Sequence, residues 1–185
     1  AVFVRFSPDD RLVLRSTRPG PREGGLSVWR WEGAPKVVLR IPAGVCCQEP
    51  CFGPDSDTVA FVDTAGSLKV VDIASEATVK SVLLGKHARG VVLDTLAKRA
   101  SVTTVDDRAL VVELNEPKTS LDVPGRWISA CHPRLDLVAV SEFAEIELWS
   151  YREQRKLRSL RGHENQVLRL DFNPGGDVLT STSWD

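Results

Sequence analysis

His163, Ser181 and Asp185 bring an imidazole, a hydroxyl and a carboxylate into the last stretch of the chain. A hydrolase builds its base, nucleophile and orienting acid from these groups, but such a triad is defined by geometry and not by composition. The same groups can also satisfy one another structurally: an ionised carboxylate accepts from an imidazole, which in turn holds a hydroxyl. A second candidate chemistry is metal binding. Cys47 and Cys51 have a spacing that zinc sites use, yet no second pair follows, and Cys131 beside His132 is a poor substitute. We expect no metal and no cofactor, with the cysteines as buried thiols in a reducing, cytoplasmic compartment. The basic run Tyr151-Arg152-Glu153-Gln154-Arg155-Lys156, followed by Arg158 and Arg161, is interrupted by Glu153 and reads as a solvated sheet edge rather than a phosphate site.

The elements that must position these groups belong to an ordinary globular chain. Of its 185 residues 42% are apolar and 26% charged, enough to bury a core. A net charge of -1 offers no field for a phosphate backbone, which disfavours nucleic acid as a partner. Apolar runs such as Val91-Val92-Leu93 and Val37-Val38-Leu39 are far too short to span a membrane, and no signal peptide is evident. The opening Ala1-Val2-Phe3 and the absence of methionine lead us to expect a piece of a longer polypeptide.

Self-similarity at a period of roughly forty organises the chain. An x-Pro marker recurs at Phe6-Ser7-Pro8, Phe52-Gly53-Pro54, Cys131-His132-Pro133 and Phe172-Asn173-Pro174, with the same frame around Leu93 lacking the proline. A second marker, at the ends of third strands, falls at Trp29, Val71, Glu113 and Trp149. Short alternating runs between turn residues predict second strands at Leu12–Leu14, Thr58–Val62, Ser101–Val105 and Leu137–Val140. Third strands are expected at Leu26–Trp29, Leu68–Val71, Leu110–Val112 and Ile146–Trp149. Fourth strands follow at Lys36–Ile41, Thr78–Leu83, Ser120–Val123 and Lys156–Leu160, with almost no helix. A Pro- and Gly-rich surface loop is expected from Arg18 to Gly25.

The final run GHENQVLRLDFNPGGDVLTSTSWD resembles a WD40 repeat that stops at its turn Asp. The resemblance implies an all-β fold, a β-propeller of about four complete four-stranded blades and half of a fifth, in an incomplete ring. The blades are placed at 1–43, 44–85, 86–124, 125–161 and 162–185, with neighbouring blades expected elsewhere in the polypeptide. In this family a His, a Ser or Thr, an Asp and a Trp lock each blade. The matching residues are His163, Ser181 and Asp185 in the last unit, Thr103 and Asp107 in the third, Trp29 in the first and Trp149 in the fourth. Glu113 stands at the Trp place of the third unit, and Ala139 and Phe143 at the hydroxyl and Asp places of the fourth. On this resemblance His163 is structural and no residue is catalytic.

The family's rim, where partners are gripped, maps onto Gln166, Leu168 and Trp184 in the last unit and Trp127 and Glu142 in the fourth. In the third unit it maps onto Arg89 and Asp106, and in the second onto Gln48 and Thr64. Tryptophan is enriched among residues that dominate binding, which singles out Trp127 and Trp184, although either ring could equally fill a blade interface. The expected function is a non-catalytic scaffold for protein or peptide partners, with no nucleic acid and no membrane. One alternative is a regulatory or sensory arm of a larger signalling enzyme, a kinase or NTPase, although no Walker A run or kinase signature is present in the chain. A propeller hydrolase is a third reading. All three functional readings beyond the fold are analogy.

Overall fold

Alternation of apolar and polar residues puts one face of each strand into a core and the other outward. In β2 (Leu12–Thr17), Leu12, Leu14 and Ser16 are buried while Arg15 is exposed. The computed structural model describes residues 2–17, 25–42, 44–45, 49–94, 96–116, 118–124, 129–173 and 175–185. They form antiparallel sheets and, among the described residues, no helix.

Sheet 1 runs β1 (Val2–Phe6), β2, β3 (Leu26–Arg30), β4 (Lys36–Ile41), and sheet 2 runs β5 (Cys51–Phe52), β6 (Thr58–Val62), β7 (Ser67–Asp72), β8 (Thr78–Leu83). Sheet 3 contains β9 (Ala88–Leu93), β10 (Arg99–Thr104), β11 (Arg108–Glu113) and β12 (Lys118–Pro124). Sheet 4 contains β13 (Ser129–Cys131), β14 (Leu137–Glu142), β15 (Glu145–Ser150) and β16 (Arg155–Leu160), and sheet 5 pairs β17 (Val167–Phe172) with β18 (Leu179–Ser183). Strands are hydrogen-bonded in chain order in every sheet, the up-and-down plan of a propeller blade. The chain divides into two compact units, Ala1–Val91 and Val92–Asp185.

One turn device recurs after each first strand. The residue following β1, β5, β9, β13 and β17 donates its amide across the hairpin: Ser7 to Leu12, Gly53 to Thr58, Asp94 to Arg99, His132 to Leu137 and Asn173 to Val178, all within 2.8 to 3.0 Å. Three residues further the backbone turns left-handed at Asp10, Ser56, Ala97 and Gly176. Side chains finish the turn. The Ser7 hydroxyl accepts from Leu12, Asp94 from Lys98 and Arg99, and Asn173 from Gly176 and Val178. This is the physical content of the x-Pro marker: in each unit it ends the first strand.

A bulge recurs between third and fourth strands. The register slips between Val28 and Trp29, Val70 and Val71, Val111 and Val112, and Leu148 and Trp149. Val112, not Glu113, therefore takes the place of Trp29 and Trp149 in sheet 3. Counting along the chain misplaced it by one residue. Register likewise puts Val140, not Ala139, opposite Ser129, as Ser181 stands opposite Leu170. Val105, expected at the end of a second strand, lies exposed in the turn after β10. Residues 18–24 of the expected loop lie outside the described residues.

Within the second unit two cores separate the sheets. Ala109, Val111, Leu121 and Val123 of sheet 3 pack with Cys131, Val138, Val140, Tyr151 and Trp149 of sheet 4. Ala130, Ala139 and Ile146 of sheet 4 pack with Val167, Leu170, Phe172 and Leu179 of sheet 5.

Candidate functional site

In the last unit the expected polar residues meet. His163 Nε2 lies 2.8 Å from Ser181 Oγ on β18, and Nδ1 lies 3.1 Å from Asp185 Oδ1. Asp185 also accepts the Glu164 amide at 2.9 Å, so one carboxylate ties the loop before β17 to the end of β18. The Ser183 hydroxyl and then the Glu164 amide, opposed by partial burial and joined by His163, hold the Asp185 carboxyl well below the usual carboxylate range. Chemically, hydroxyl, imidazole and carboxylate are connected in the order a hydrolase would use.

The other members are arranged differently. Trp29 donates its indole N–H to Ser27 Oγ at 3.0 Å, and Trp149 donates to Glu147 Oε2 at 2.8 Å, each two residues back on its own strand face. Glu147 is buried and takes Lys156 Nζ on its other oxygen at 3.0 Å. Thr103 pairs with Ala109, while Asp107 sits left-handed in the β10–β11 turn and donates its amide to the Thr104 carbonyl.

Of the rim candidates, Trp184 is 68% exposed and its amide donates to the Gln166 carbonyl, which brings these two together. Leu168 is exposed on β17, Glu142 ends β14, and Asp106 is exposed in the β10–β11 turn. Phe143, next to Glu142, is exposed and left-handed, and its carbonyl accepts the Val167 amide. Thr64 is exposed in the β6–β7 turn and Arg89 is half-buried on β9, both in the first unit. Trp127 and Gln48 lie outside the described residues, as does Cys47.

Two arrangements were not foreseen. His132 Nδ1 accepts the amides of Arg134 and Leu135 while Nε2 reaches the Gly176 carbonyl, so the residue paired with Cys131 as a poor ligand set is a turn-former. Arg99 lies over the Tyr151 ring at 4.8 Å and faces Asp94, Glu113 and Asp136 at 3.5, 3.3 and 4.0 Å. Tyr151 donates to Asp136 at 2.7 Å, and burial followed by this bond raises its hydroxyl above the ordinary range. Tyr151, read as part of an exposed basic edge, is buried. Its spacing of two from Trp149 was the available signal, because alternate residues share a face. Arg152 pairs with Asp136 at 2.7 Å, and residues 152–158 are exposed as expected.

Among the described residues no helix is long and apolar enough to cross a membrane. The family model described as WD domain, G-beta repeat matches residues 154–185, from the outer strand of sheet 4 through sheet 5. The chain is similar to proteins named periodic tryptophan protein 2 homolog. That of Schizosaccharomyces pombe is 46% identical over 41 residues, which cover 22% of this chain and 5% of that protein. That of Dictyostelium discoideum is 23% identical over 177 residues, covering 88% of this chain and 19% of that protein. The chain thus spans a minor share of the relatives it matches. Residues 154–185 match the model of a WD40 repeat, and the four complete sheets follow the four-stranded, chain-order strand plan of such a blade.

Proposed function

We propose that this chain is a protein-interaction scaffold that grips protein or peptide partners at the rim formed by its second-to-third strand turns and first-strand starts. The observation that carries this reading is Trp184, 68% exposed and fixed by its backbone to Gln166, with Leu168 exposed on the same strand start. A large exposed aromatic ring on a fixed stretch of backbone is the kind of residue that serves as a binding anchor. The near-neutral charge favours protein over nucleic acid, and buried thiols at Cys51 and Cys131 fit a reducing cytoplasm.

The test is alanine at Trp184 and at Trp127, with partner binding measured by quantitative pulldown and folding by circular dichroism. Loss of about 2 kcal/mol, roughly thirtyfold in affinity, is expected at a rim anchor. Undiminished binding of every partner with the fold intact overturns the choice of surface. The connectivity Ser181, His163, Asp185 favours a hydrolase as the second reading. A fluorophosphonate probe decides it: labelling at Ser181 supports hydrolysis, and an unlabelled Ser181 leaves the trio as a lock.

A further inference from the structure

Sheet 4 is complete, with sheet 3 packed on one face and sheet 5 on the other, yet its second-to-third strand turn holds Phe143 61% exposed. Glu142 pairs with Glu145 across β14 and β15, which leaves Phe143 and Ala144 as the turn. Phe143 is left-handed there at φ 52°, a conformation that suits glycine and disfavours a bulky side chain. Like charges directly opposite one another also destabilise a sheet, and Glu142 faces Glu145. One turn therefore sets an aromatic ring in water, a bulky residue where glycine fits and a carboxylate against a carboxylate. Positions where local rules fail without a gain for folding are those where function is expected.

A second ring is fixed to the same stretch of chain. Val167 donates its amide to the Phe143 carbonyl at 2.8 Å, and the Gln166 carbonyl accepts from the Trp184 amide at 3.2 Å. Two exposed aromatic residues are thus tied to consecutive residues at the entry to β17. That stretch is held further by the Glu164 amide on Asp185 and the Ser183 hydroxyl on the Asn165 carbonyl, each at 2.9 Å. Carboxylates surround the rings: Glu142 adjoins Phe143, Asp185 follows Trp184, and Glu164 lies in the loop between them, all exposed. The cations near them in the chain are engaged, Arg161 with Glu145 at 3.4 Å and Arg169 with Asp171 at 3.6 Å. The whole chain carries a net charge of -1, so this acidity is local.

We propose that this surface takes a basic segment of a partner polypeptide, with lysine or arginine heads on Glu142 and Glu164 and their stems or guanidinium planes on Phe143 and Trp184. Such an occupant presupposes the rim reading above and narrows it to one chemistry. An aromatic face attracts a cation through its quadrupole, and a carboxylate beside it supplies a charge-assisted hydrogen bond. A cation at Glu142 also relieves the repulsion across the Phe143 turn. A phosphate backbone meets the wrong sign of charge here, and an uncharged apolar segment leaves the carboxylates unanswered. Phe143, which stands at a turn-Asp place and not at a position the WD40 resemblance assigns to the rim, is then a binding residue.

The test selects random peptides displayed on phage against the immobilised, uninterrupted gene product and measures the affinity of selected peptides by fluorescence anisotropy. Peptides rich in lysine and arginine are expected, with an affinity that falls as salt is raised. Phe143→Gly is expected to weaken a selected peptide about tenfold while leaving the melting temperature unchanged or higher, because glycine suits the left-handed turn and the lost ring served the partner. Glu142→Gln is expected to weaken binding and to flatten its salt dependence. A ring that serves folding alone gives the reverse, a lower melting temperature with binding unchanged, and that result overturns the proposal. Selected peptides that lose affinity with Trp184→Ala but are acidic or uncharged overturn the basic partner and leave the rim standing. Peptides indifferent to both Phe143→Gly and Trp184→Ala remove the rim as well, and a selection that recovers no peptide also overturns the proposal.

Discussion

His132 Nε2 lies 2.9 Å from the carbonyl oxygen of Gly176, which joins the first hairpin turn of sheet 4 to that of sheet 5. With Nδ1 accepting two amides, the hydrogen sits on Nε2 and is donated to Gly176. His132→Ala removes the acceptor of those amides and is expected to cost about 1–3 kcal/mol. Gly176→Ala is expected to cost at least as much, because the residue is left-handed at φ 82° and a Cβ would lie 2.5 Å from the imidazole Cε1. Equilibrium urea denaturation of both variants measures this.

Glu147 serves the Trp149 indole and the Lys156 ammonium from a buried position. Glu147→Ala is expected to destabilise by about 1–3 kcal/mol by leaving the indole N–H unpaired. Glu147→Gln combined with Lys156→Leu is expected to recover part of this loss, since the amide oxygen still accepts the indole N–H and the half-exposed Lys156 no longer needs a counter-charge. Denaturation midpoints of the single and double variants check both statements.

The depressed carboxyl of Asp185 predicts an acid-sensitive lock. A group whose native pKa is lowered stabilises fully above its unfolded value, about 4, and loses that stabilisation as pH falls toward its native one. The melting-temperature gap between the protein and Asp185→Asn is expected to hold from about pH 7 to 5 and to close below about pH 4. A gap unchanged down to pH 3 contradicts it.

Burial, reinforced by the charge of Asp94, pushes the Cys131 thiol up to about 12. Thiolate is the reactive form, so iodoacetamide at pH 8 is expected to leave Cys131 unmodified in the native protein and to alkylate it fully in guanidinium. Peptide mass spectrometry reads the difference.

Strand placement was legible wherever turn chemistry punctuates the chain. Thr58–Val62, Lys36–Ile41 and Thr78–Leu83 coincide with β6, β4 and β8, and each first strand ends at its marker. What escaped depends on register rather than on type. The bulge marks Val112, which follows Leu93 at the same interval by which Val71 follows Phe52, so the spacing within sheet 2 points to Val112 and not to Glu113. The expected His163, Ser181 and Asp185 lie together because a strongly matching repeat fixes their offsets. The partners Ser27 and Glu147 were missed because any residue two positions back on a strand shares its neighbour's face, and only the coordinates say which of them reaches the indole.

The recurring bulge leaves Val38, Val79, Ser120 and Leu157 as the supernumerary residue on the outermost strand of each complete sheet. An outer strand so kinked cannot offer an uninterrupted row of amides and carbonyls to a neighbouring molecule. Repeated units of similar sequence are those at greatest hazard of zipping together edge to edge. A break at the same place on the outer edge of each complete sheet works against such pairing between copies of the motif.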